Sequence, residues 1–161
     1  MPKAITPNLW FDKQALEAAE YYTSIFPDSR IVNVTHYTEA APGKAGEVLT
    51  VDFELQGQRF TALNGGPEFT FSEAISLLIE CEDQEELDRY WDRFVADGGE
   101  EGPCGWCKDR YGLSWQVVPA GMDALFGDDD PERAQRAMEA MFKMRRIDIA
   151  ALRAAAEGVA A

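Results

Sequence analysis

The chain has 161 residues, of which 46% are hydrophobic and 27% charged, and its formal net charge is −14 at pH 7. This length suits one domain or two small fused modules. The negative charge argues against a nucleic-acid partner, because binding phosphates requires a basic patch. The apolar runs fall far short of the ~20 residues that a membrane-spanning helix needs.

The expected compartment follows from the first residues and the cysteines. The first eleven residues lack the apolar core and cleavage site of a signal peptide. The chain has three cysteines, and an odd number fits a reducing compartment better than a disulfide framework. We therefore expect a cytoplasmic protein without membrane contact.

The first half of the chain predicts a strand, a helix and three further strands. Asp12 has the position of an N-cap, and Pro27 ends the helix that follows it. Alternating apolar residues and Gly-rich or polar connections mark the strands. The predicted strands are 5–11, 31–37, 47–55 and 58–63, and the predicted helix is 14–26.

The second half predicts the same order of elements. Asp83 has the position of an N-cap, with Glu86 three residues later as in a capping box. Gly98 and Gly99 end the helix. The predicted elements are a strand at 74–81, a helix at 85–95, a short hairpin and a closing strand at 114–118.

The letters of the two halves also repeat. Ile5-Thr6 lies seventy positions before Ile75-Ser76, and Tyr21-Tyr22 lies sixty-nine before Tyr90-Trp91. The chain therefore predicts two copies of a strand–helix–strands unit. Such halves commonly pair their sheets around a shared cleft, which gives a curved, mostly antiparallel α+β structure.

Beyond Pro119 the composition shifts to helix formers. Asp130-Pro131 predicts an N-cap with proline at the first helical position, and Asp148 predicts the cap of a last short helix ending at Gly158. Apolar residues mark one face of the first of these helices: Ala134, Ala137, Met138, Met141 and Phe142. We expect this tail to cover a sheet or to meet a second subunit.

The tetrapeptide CGWC, Cys104 to Cys107, permits two interpretations. The spacing suits a redox dithiol, but such a motif requires a helix that starts at the first cysteine. Here Gly102-Pro103 precede the motif and turn-forming residues follow it, which favours a hairpin. A structural zinc site would need a fourth ligand beyond Cys81 and these two thiols, and none is near in sequence.

His36 is the only histidine, and it stands in a predicted strand. It is expected to be structural, and a single histidine excludes a two-His-one-carboxylate iron site within one chain. A Ser–His–Asp triad would have to use His36 alone. The chain has no G-x-S-x-G, Walker or G-x-G-x-x-G motif.

Several aromatic and amide residues are candidates for a ligand-binding cleft. They lie on strands or hairpins that the repeat would bring together: Trp10, Trp106, Trp115 and Gln116, with Asn8 and Asn64 as further polar candidates. Ligand sites are apolar clefts with a few polar groups, which this set offers. The alternative is that the tryptophans fill the core. Both interpretations stay open at this point.

Three segments carry a resemblance to a known family: NLWFDKQALEAAEYYTSIFPDSRI, FELQGQRFTALNGGPEFTFSEAISLLIECEDQEELDRYWD and CGWCKDRYGLSWQVVP. The chain resembles the PhnB-like family, often called the 3-demethylubiquinone-9 3-methyltransferase domain. This family belongs to the glyoxalase/bleomycin-resistance/dioxygenase (vicinal oxygen chelate) superfamily. The resemblance covers about residues 4–155 and implies two βαβββ modules around a cleft, usually in a homodimer. It implies a single domain with module one at 1–67, module two at 71–119 and a C-terminal helical extension at 120–161.

The resemblance also bears on metal binding. Superfamily enzymes hold a divalent metal with four side chains, which match Thr6, about Ala62, Ser76 and Gln116 in this sequence. Only Gln116 is a plausible ligand, and one amide oxygen does not hold a transition metal. We therefore expect the fold and cleft without a metal or another cofactor. Relatives typically have an aliphatic residue at the position of Cys107, which weakens CGWC as a family redox motif.

The family label suggests a methyltransferase, but the sequence does not support that activity. A Rossmann-type methyltransferase needs a glycine-rich turn that opens a helix in a parallel sheet, and this chain lacks one. We therefore treat the label as a family name and do not infer methyltransferase activity from it.

Three hypotheses on function remain. The first is a protein that binds a small organic molecule in a cleft, with these residues: Trp10, Asn64, Ser76, Trp106, Trp115 and Gln116. The second is an enzyme of unknown reaction with Asp109 or Glu80 as general base. The third is a thiol-redox protein that uses Cys104 and Cys107.

Overall fold

The computed structural model describes residues 5–41, 43–127 and 129–159. Contacts within the chain divide it into two compact units, Met1–Thr70 and Phe71–Ala161. Each unit contains one four-stranded mixed sheet, and helices follow the second sheet. The α+β class with two βαβββ repeats and C-terminal helices is therefore confirmed. The first four residues of the predicted module one and the last two of the predicted extension lie outside the described residues.

The first unit has the element order β1 (Asn8–Phe11), α1 (Ala15–Ile25), β2 (Arg30–His36), β3 (Val48–Leu55) and β4 (Gln58–Asn64). The sheet order is β1-β4-β3-β2, with β1 parallel to β4 and the other neighbours antiparallel. Helix α1 covers one face of this sheet, and aromatic residues fill the space between them. Tyr22 of α1 stacks on Phe53 of β3 with ring centroids 6.2 Å apart, and Phe53 stacks on Phe60 at 5.4 Å.

Helix α1 is capped from a distant strand. The prediction of Asp12 as N-cap is wrong, because Gln14 holds that position without a side-chain cap bond. The buried side chain of Asn64, at the end of β4, accepts a hydrogen bond from the Ala15 N–H at 2.8 Å. Its Nδ2 donates to the Val48 carbonyl at 3.0 Å. A pattern of neighbouring residues cannot reveal a cap that arrives from forty-nine positions away.

The second unit repeats this topology with β5 (Ser76–Cys81), α2 (Gln84–Ala96), β6 (Glu100–Glu101), β7 (Trp106–Lys108) and β8 (Ser114–Pro119). The sheet order β5-β8-β7-β6 has the same pattern as the first sheet, again with the first strand parallel to the last. The predicted N-cap is confirmed, because Asp83 accepts a hydrogen bond from the Glu86 N–H at 2.9 Å. Glu86 in turn accepts from the Glu82 N–H at 3.0 Å, one residue before the cap.

Three helices follow β8: α3 (Met122–Phe126), α4 (Pro131–Met141) and α5 (Ile149–Ala156). The predicted caps Asp130 and Asp148 are confirmed, and each side chain accepts from backbone N–H groups of its helix. Helix α3 is not predicted by the sequence pattern. Within the described part of the chain, no helix has both the length and the apolar character needed to cross a bilayer.

The Asn64 cap predicts a stability effect. Asn64→Ala removes the partner of the Ala15 N–H and of the Val48 carbonyl, so the free energy of unfolding should fall by about 2 kcal/mol. Asn33→Ala, at an exposed position of β2, is the matched control and should change little. Urea unfolding measures both, and equal midpoints for the two variants would contradict the cap.

A candidate ligand pocket in the second unit

The two faces of β8 have different surroundings. Trp115 stacks on Phe94 of α2 with ring centroids 4.6 Å apart, so this side chain faces the helix. Because strand residues alternate between faces, Ser114 and Gln116 lie on the opposite face, which α2 does not cover. Trp106 of β7 pairs with Gln116 in register and shares its face. We call this surface the open face of the second sheet.

A pocket of about 600 Å³ lies on this open face. The sheet contributes Trp106, Lys108, Ser114 and Gln116 to its wall. The C-terminal helices contribute Met122, Met141 and Phe142. The volume is in the range of small-molecule sites, and the wall combines large apolar side chains with few polar groups.

The hydroxyl of Ser114 is the unusual polar group of the pocket. Ser114 is fully buried, and its Oγ has no hydrogen-bond partner. A buried hydroxyl without a partner costs about 1–3 kcal/mol. Native structures pair most such groups, so this atom requires an explanation. Because Ser114 exposes no surface to the pocket, a ligand atom can become its partner only when side chains of the pocket wall move aside.

A second polar group beside the pocket is the Gln116 side chain. Its Nε2 donates a hydrogen bond to the Ser76 Oγ of β5 at 2.9 Å, across a pair of parallel strands. This bond fixes the orientation of the amide and leaves the carbonyl oxygen of Gln116 as an acceptor. Among the predicted site residues, the structure therefore brings together Ser76, Trp106 and Gln116.

The charges around the pocket are mostly negative. Lys108 Nζ lies 2.6 Å from Glu73 Oε1. The hydrogen bond between them lowers the pKa of Glu73 and raises the pKa of Lys108, so both stay charged near neutral pH. Glu100 and Glu101 also line the pocket. Since Glu73 already pairs with the ammonium group, the remaining charge favours neutral or cationic ligands over anions.

The CGWC segment forms a tight turn. The Trp106 N–H donates to the Pro103 carbonyl at 3.0 Å, and the two residues between them, Cys104 and Gly105, have φ of +58° and +82°. Two consecutive positive φ values are typical of a type I′ hairpin turn. The predicted hairpin is therefore confirmed. A dithiol of the thioredoxin type would need a helix at this point.

Burial also disfavours thiolate chemistry at Cys107. Desolvation raises the pKa of its thiol to about 12, and the nearby Asp109 and Glu101 carboxylates add to the effect. A redox-active thiol has its pKa lowered instead. Cys104 is half-buried and lines the pocket.

Trp115 and Asp109 form a buried structural unit. The Trp115 indole N–H donates to Asp109 Oδ2 at 2.9 Å. Oδ1 of Asp109 accepts from the N–H groups of Tyr111 and Leu113 at 2.8 and 3.1 Å. The carboxylate thus holds the turn before β8 and the indole that packs on α2. Glu80, the other suggested base, is exposed and is not part of the pocket wall.

The other two predicted cleft residues belong to the first unit. The half-buried Trp10 donates its indole N–H to the Gly66 carbonyl at 2.8 Å, and its ring meets Phe69 edge-on at 5.0 Å. Gly65 leaves room for this ring, since a Cβ there would overlap it. Both polar ends of the Asn64 amide are used within the fold. Their participation in a shared cleft stays a prediction.

The residues at the positions matched to the superfamily's metal ligands are not suited to bind a transition-metal ion. Ala62 offers no ligand atom and is fully buried on the sheet face that packs on α1. The Ser76 hydroxyl and the Gln116 amide are hydrogen-bonded to each other. Among the described residues, no group of three or more His, Cys, Asp or Glu side chains could hold a metal. His36 is exposed on β2, and its expected structural role stays a prediction.

Most residues of the pocket wall were not identified from the sequence as cleft residues, among them Lys108, Ser114, Met122, Met141 and Phe142. Ser114 begins the closing strand, and a strand serine carries no signal that it is buried without a partner. The apolar face of α4 did indicate that Met141 and Phe142 meet another element. It could not indicate which element.

The sequence profile of the 3-demethylubiquinone-9 3-methyltransferase family matches residues 3–118 of the chain. Among solved structures, the PhnB protein of Bacillus cereus is 36% identical, with a TM-score of 0.63. The similarity covers 72% of this chain and 99% of that one.

Two more distant structures share the fold alone. The fosfomycin resistance protein FosX of Listeria monocytogenes is 16% identical with a TM-score of 0.54, over 75% of this chain and 94% of that one. PA1353 of Pseudomonas aeruginosa is 17% identical with a TM-score of 0.58, over 73% and 97%. No protein with a curated function matches the chain significantly.

Because Asp109 holds both the turn before β8 and the Trp115 indole, a conservative substitution at this residue should destabilise the protein strongly. Asp109→Asn turns one acceptor oxygen into a donor, which must face the Trp115 indole N–H or the turn N–H groups. The free energy of unfolding should fall by about 2–4 kcal/mol, and tryptophan emission should shift to the red. Asp12→Asn, at a half-buried position that caps no helix, is the control. If Asp109→Asn unfolds like the wild type, the anchor is refuted.

The thiols are expected to differ in reactivity. At pH 8 a thiol with a pKa of about 12 is ionised in only about one molecule in ten thousand, and the pKa of Cys81 is raised equally by burial. Ellman's reagent should therefore titrate one thiol in the native protein, Cys104, and three in guanidinium. Cys104→Ser should leave none reactive before unfolding. Rapid reaction of two native thiols would instead support the redox hypothesis.

Proposed function

The chain belongs to the 3-demethylubiquinone-9 3-methyltransferase family, within the glyoxalase (vicinal oxygen chelate) superfamily, and we propose that it binds a small organic molecule in the pocket of its second unit. The ligand has an apolar body and at least one group that forms hydrogen bonds. It is neutral or cationic. The protein holds it without a bound metal.

The orphaned Ser114 hydroxyl is the observation that carries this proposal. The atom is buried in the wall of a pocket of about 600 Å³ and lacks a partner. The fold tolerates a cost of about 1–3 kcal/mol at this position. Such a cost is typical of positions where a polar group serves binding and not stability.

The rest of the wall defines the ligand's chemistry. The half-buried Trp106 indole offers a flat apolar surface, on which an aromatic or aliphatic body can stack. Gln116 is oriented by Ser76 and offers an acceptor oxygen. Glu100 and Glu101 repel anions at the same pocket. This combination favours a neutral or cationic molecule with a donor group.

The proposal involves no metal and no methyl transfer. FosX was solved with Mn(II), but the donor groups at the positions that the family resemblance matches to metal ligands do not suit such an ion. A cofactor of the Rossmann type binds at a free helix N-terminus behind a glycine-rich turn. In this chain Asn64 and Asp83 already occupy the N-termini of α1 and α2.

Two other functions remain as alternatives. An enzyme with Asp109 or Glu80 as general base is less favoured, since the first carboxylate is saturated with hydrogen bonds and the second lies outside the pocket. Thiol-redox activity of Cys104 and Cys107 is less favoured because of the turn and the raised pKa of Cys107. The homodimer and the cytoplasmic location stay predictions from the sequence.

Dye binding tests the proposed pocket. N-Phenyl-1-naphthylamine is neutral, apolar and has one N–H donor, so it should bind with increased fluorescence. 1-Anilinonaphthalene-8-sulfonate has the same skeleton with a sulfonate and should bind more weakly. Trp106→Ala should weaken binding of the neutral dye by about tenfold, since a stacked ring contributes of the order of 1.4 kcal/mol.

Ser114→Ala should separate binding from stability. Removal of the orphaned hydroxyl should raise the free energy of unfolding by about 1 kcal/mol, and should weaken the neutral dye about two- to tenfold, the value of one hydrogen bond. Val32→Ala changes an exposed apolar residue of the first sheet that does not line the pocket, and controls for non-specific adsorption. The pocket would be refuted if the wild type bound neither dye, or if Val32→Ala weakened dye binding as much as Ser114→Ala.

A further inference from the structure

The C-terminal segment 119–159 lies beyond the part of the chain that defines the family. The family profile ends at residue 118. The similarity to the Bacillus cereus protein accounts for 99% of that chain but leaves more than a quarter of this one unmatched. The family profile therefore implies nothing about what this segment does.

The segment is fixed to the sheet through the CGWC turn. The N–H groups of Cys104 and Gly105 donate to the carbonyls of Met144 and Arg145 at 2.8 and 2.7 Å. The fully buried Ile147 packs against the same turn, where a Cβ on Gly105 would lie 3.2 Å from its Cγ1. The turn can thus serve as a docking point because its second residue is glycine.

A second attachment lies at the start of α2. The Gln84 amide accepts from the Ile149 N–H at 2.9 Å and donates to the Ile147 carbonyl at 3.1 Å. Arg146 pairs with Asp88 and Asp92 of α2 at 3.1 and 2.7 Å. With both attachments, residues 144–149 are held against the second unit at a fixed place.

This attachment brings three apolar side chains to the pocket. Met122 precedes the attachment along the chain, and Met141 and Phe142 stand at the end of α4, two residues before it. Phe142 is 64% exposed although it lines the pocket, so a ligand can still bury much of its ring. Methionine side chains are flexible and polarizable, and adapt to ligands of different shape.

We propose that the C-terminal segment is the ligand-selecting wall of the pocket, in which Met122, Met141 and Phe142 select molecules with an uncharged aromatic or aliphatic end. This inference rests on the proposed function of the same pocket. The sheet supplies the polar contacts through Ser114 and Gln116, and the segment supplies the apolar contact. Ligand choice then depends on residues outside the family's shared part.

The test compares two dyes on two pairs of variants. Phe142→Ala should weaken binding of N-phenyl-1-naphthylamine about tenfold, because the dye would bury only part of the phenyl ring. Phe142→Lys places an ammonium group at the wall, and should raise the affinity for 1-anilinonaphthalene-8-sulfonate relative to the neutral dye by about tenfold or more. Met138→Ala and Met138→Lys are the controls, since Met138 is an exposed residue of α4 that does not line the pocket.

The outcomes distinguish a failure of the selecting wall from a failure of the pocket itself. If the wild type and Trp106→Ala behave as proposed but the Phe142 variants match the Met138 variants, the pocket stands and the selecting wall is refuted. If the wild type binds neither dye, the proposed function fails and this inference fails with it. A change of preference in Phe142→Lys without one in Met138→Lys supports the wall, since a merely structural role would not alter the ratio of the two affinities.

Discussion

The second unit depends on the fact that a helix covers only one face of its sheet. Strand β8 alternates between the two faces, so Trp115 must pack on Phe94 of α2 if Ser114 and Gln116 are to lie on the other side. The Asp109 carboxylate fixes this register, because it binds both the turn before β8 and the Trp115 indole. A shift by one residue would bury the amide and expose the tryptophan. The pocket is therefore a consequence of the same interaction that holds the sheet to its helix.

The open face is used differently from the covered one. On the covered face, apolar and aromatic side chains fill a core, and every contact described there serves stability. On the open face, a buried hydroxyl lacks a partner and a lysine is neutralised by a glutamate at the pocket wall. Residues that a fold does not need for stability, and keeps at a cost, are those expected at a binding site.

The fold could be predicted from the sequence because its signals are local. The alternation of the strands, the Asp83, Asp130 and Asp148 caps and the internal repeat each depend on residues within a few positions or on direct similarity of letters. The cap of α1 could not be predicted, since Asn64 reaches Ala15 only through the pairing of β1 with β4. Helix α3 is a single short element without a capping side chain, so no local pattern marks it.

The candidate site was predictable only in part. Strand neighbours in the repeat and a family resemblance point to Trp106, Gln116 and Ser76, which lie side by side in the structure. Trp115, next to Gln116 in β8, proved to be a core residue, which its ring contact with α2 and its hydrogen bond to Asp109 distinguish from Trp106. The CGWC segment has a structural role that its spacing does not indicate, because the C-terminal segment docks at Gly105. Its cysteines lack the environment of a redox pair.

A crystal structure grown with N-phenyl-1-naphthylamine tests the central claim most directly. The dye should lie on the open face of the second sheet, against Trp106, with its nitrogen within hydrogen-bond distance of Ser114 Oγ or Gln116 Oε1. Dye bound elsewhere, or a Ser114 hydroxyl that is hydrogen-bonded within the protein and remote from the dye, would contradict it.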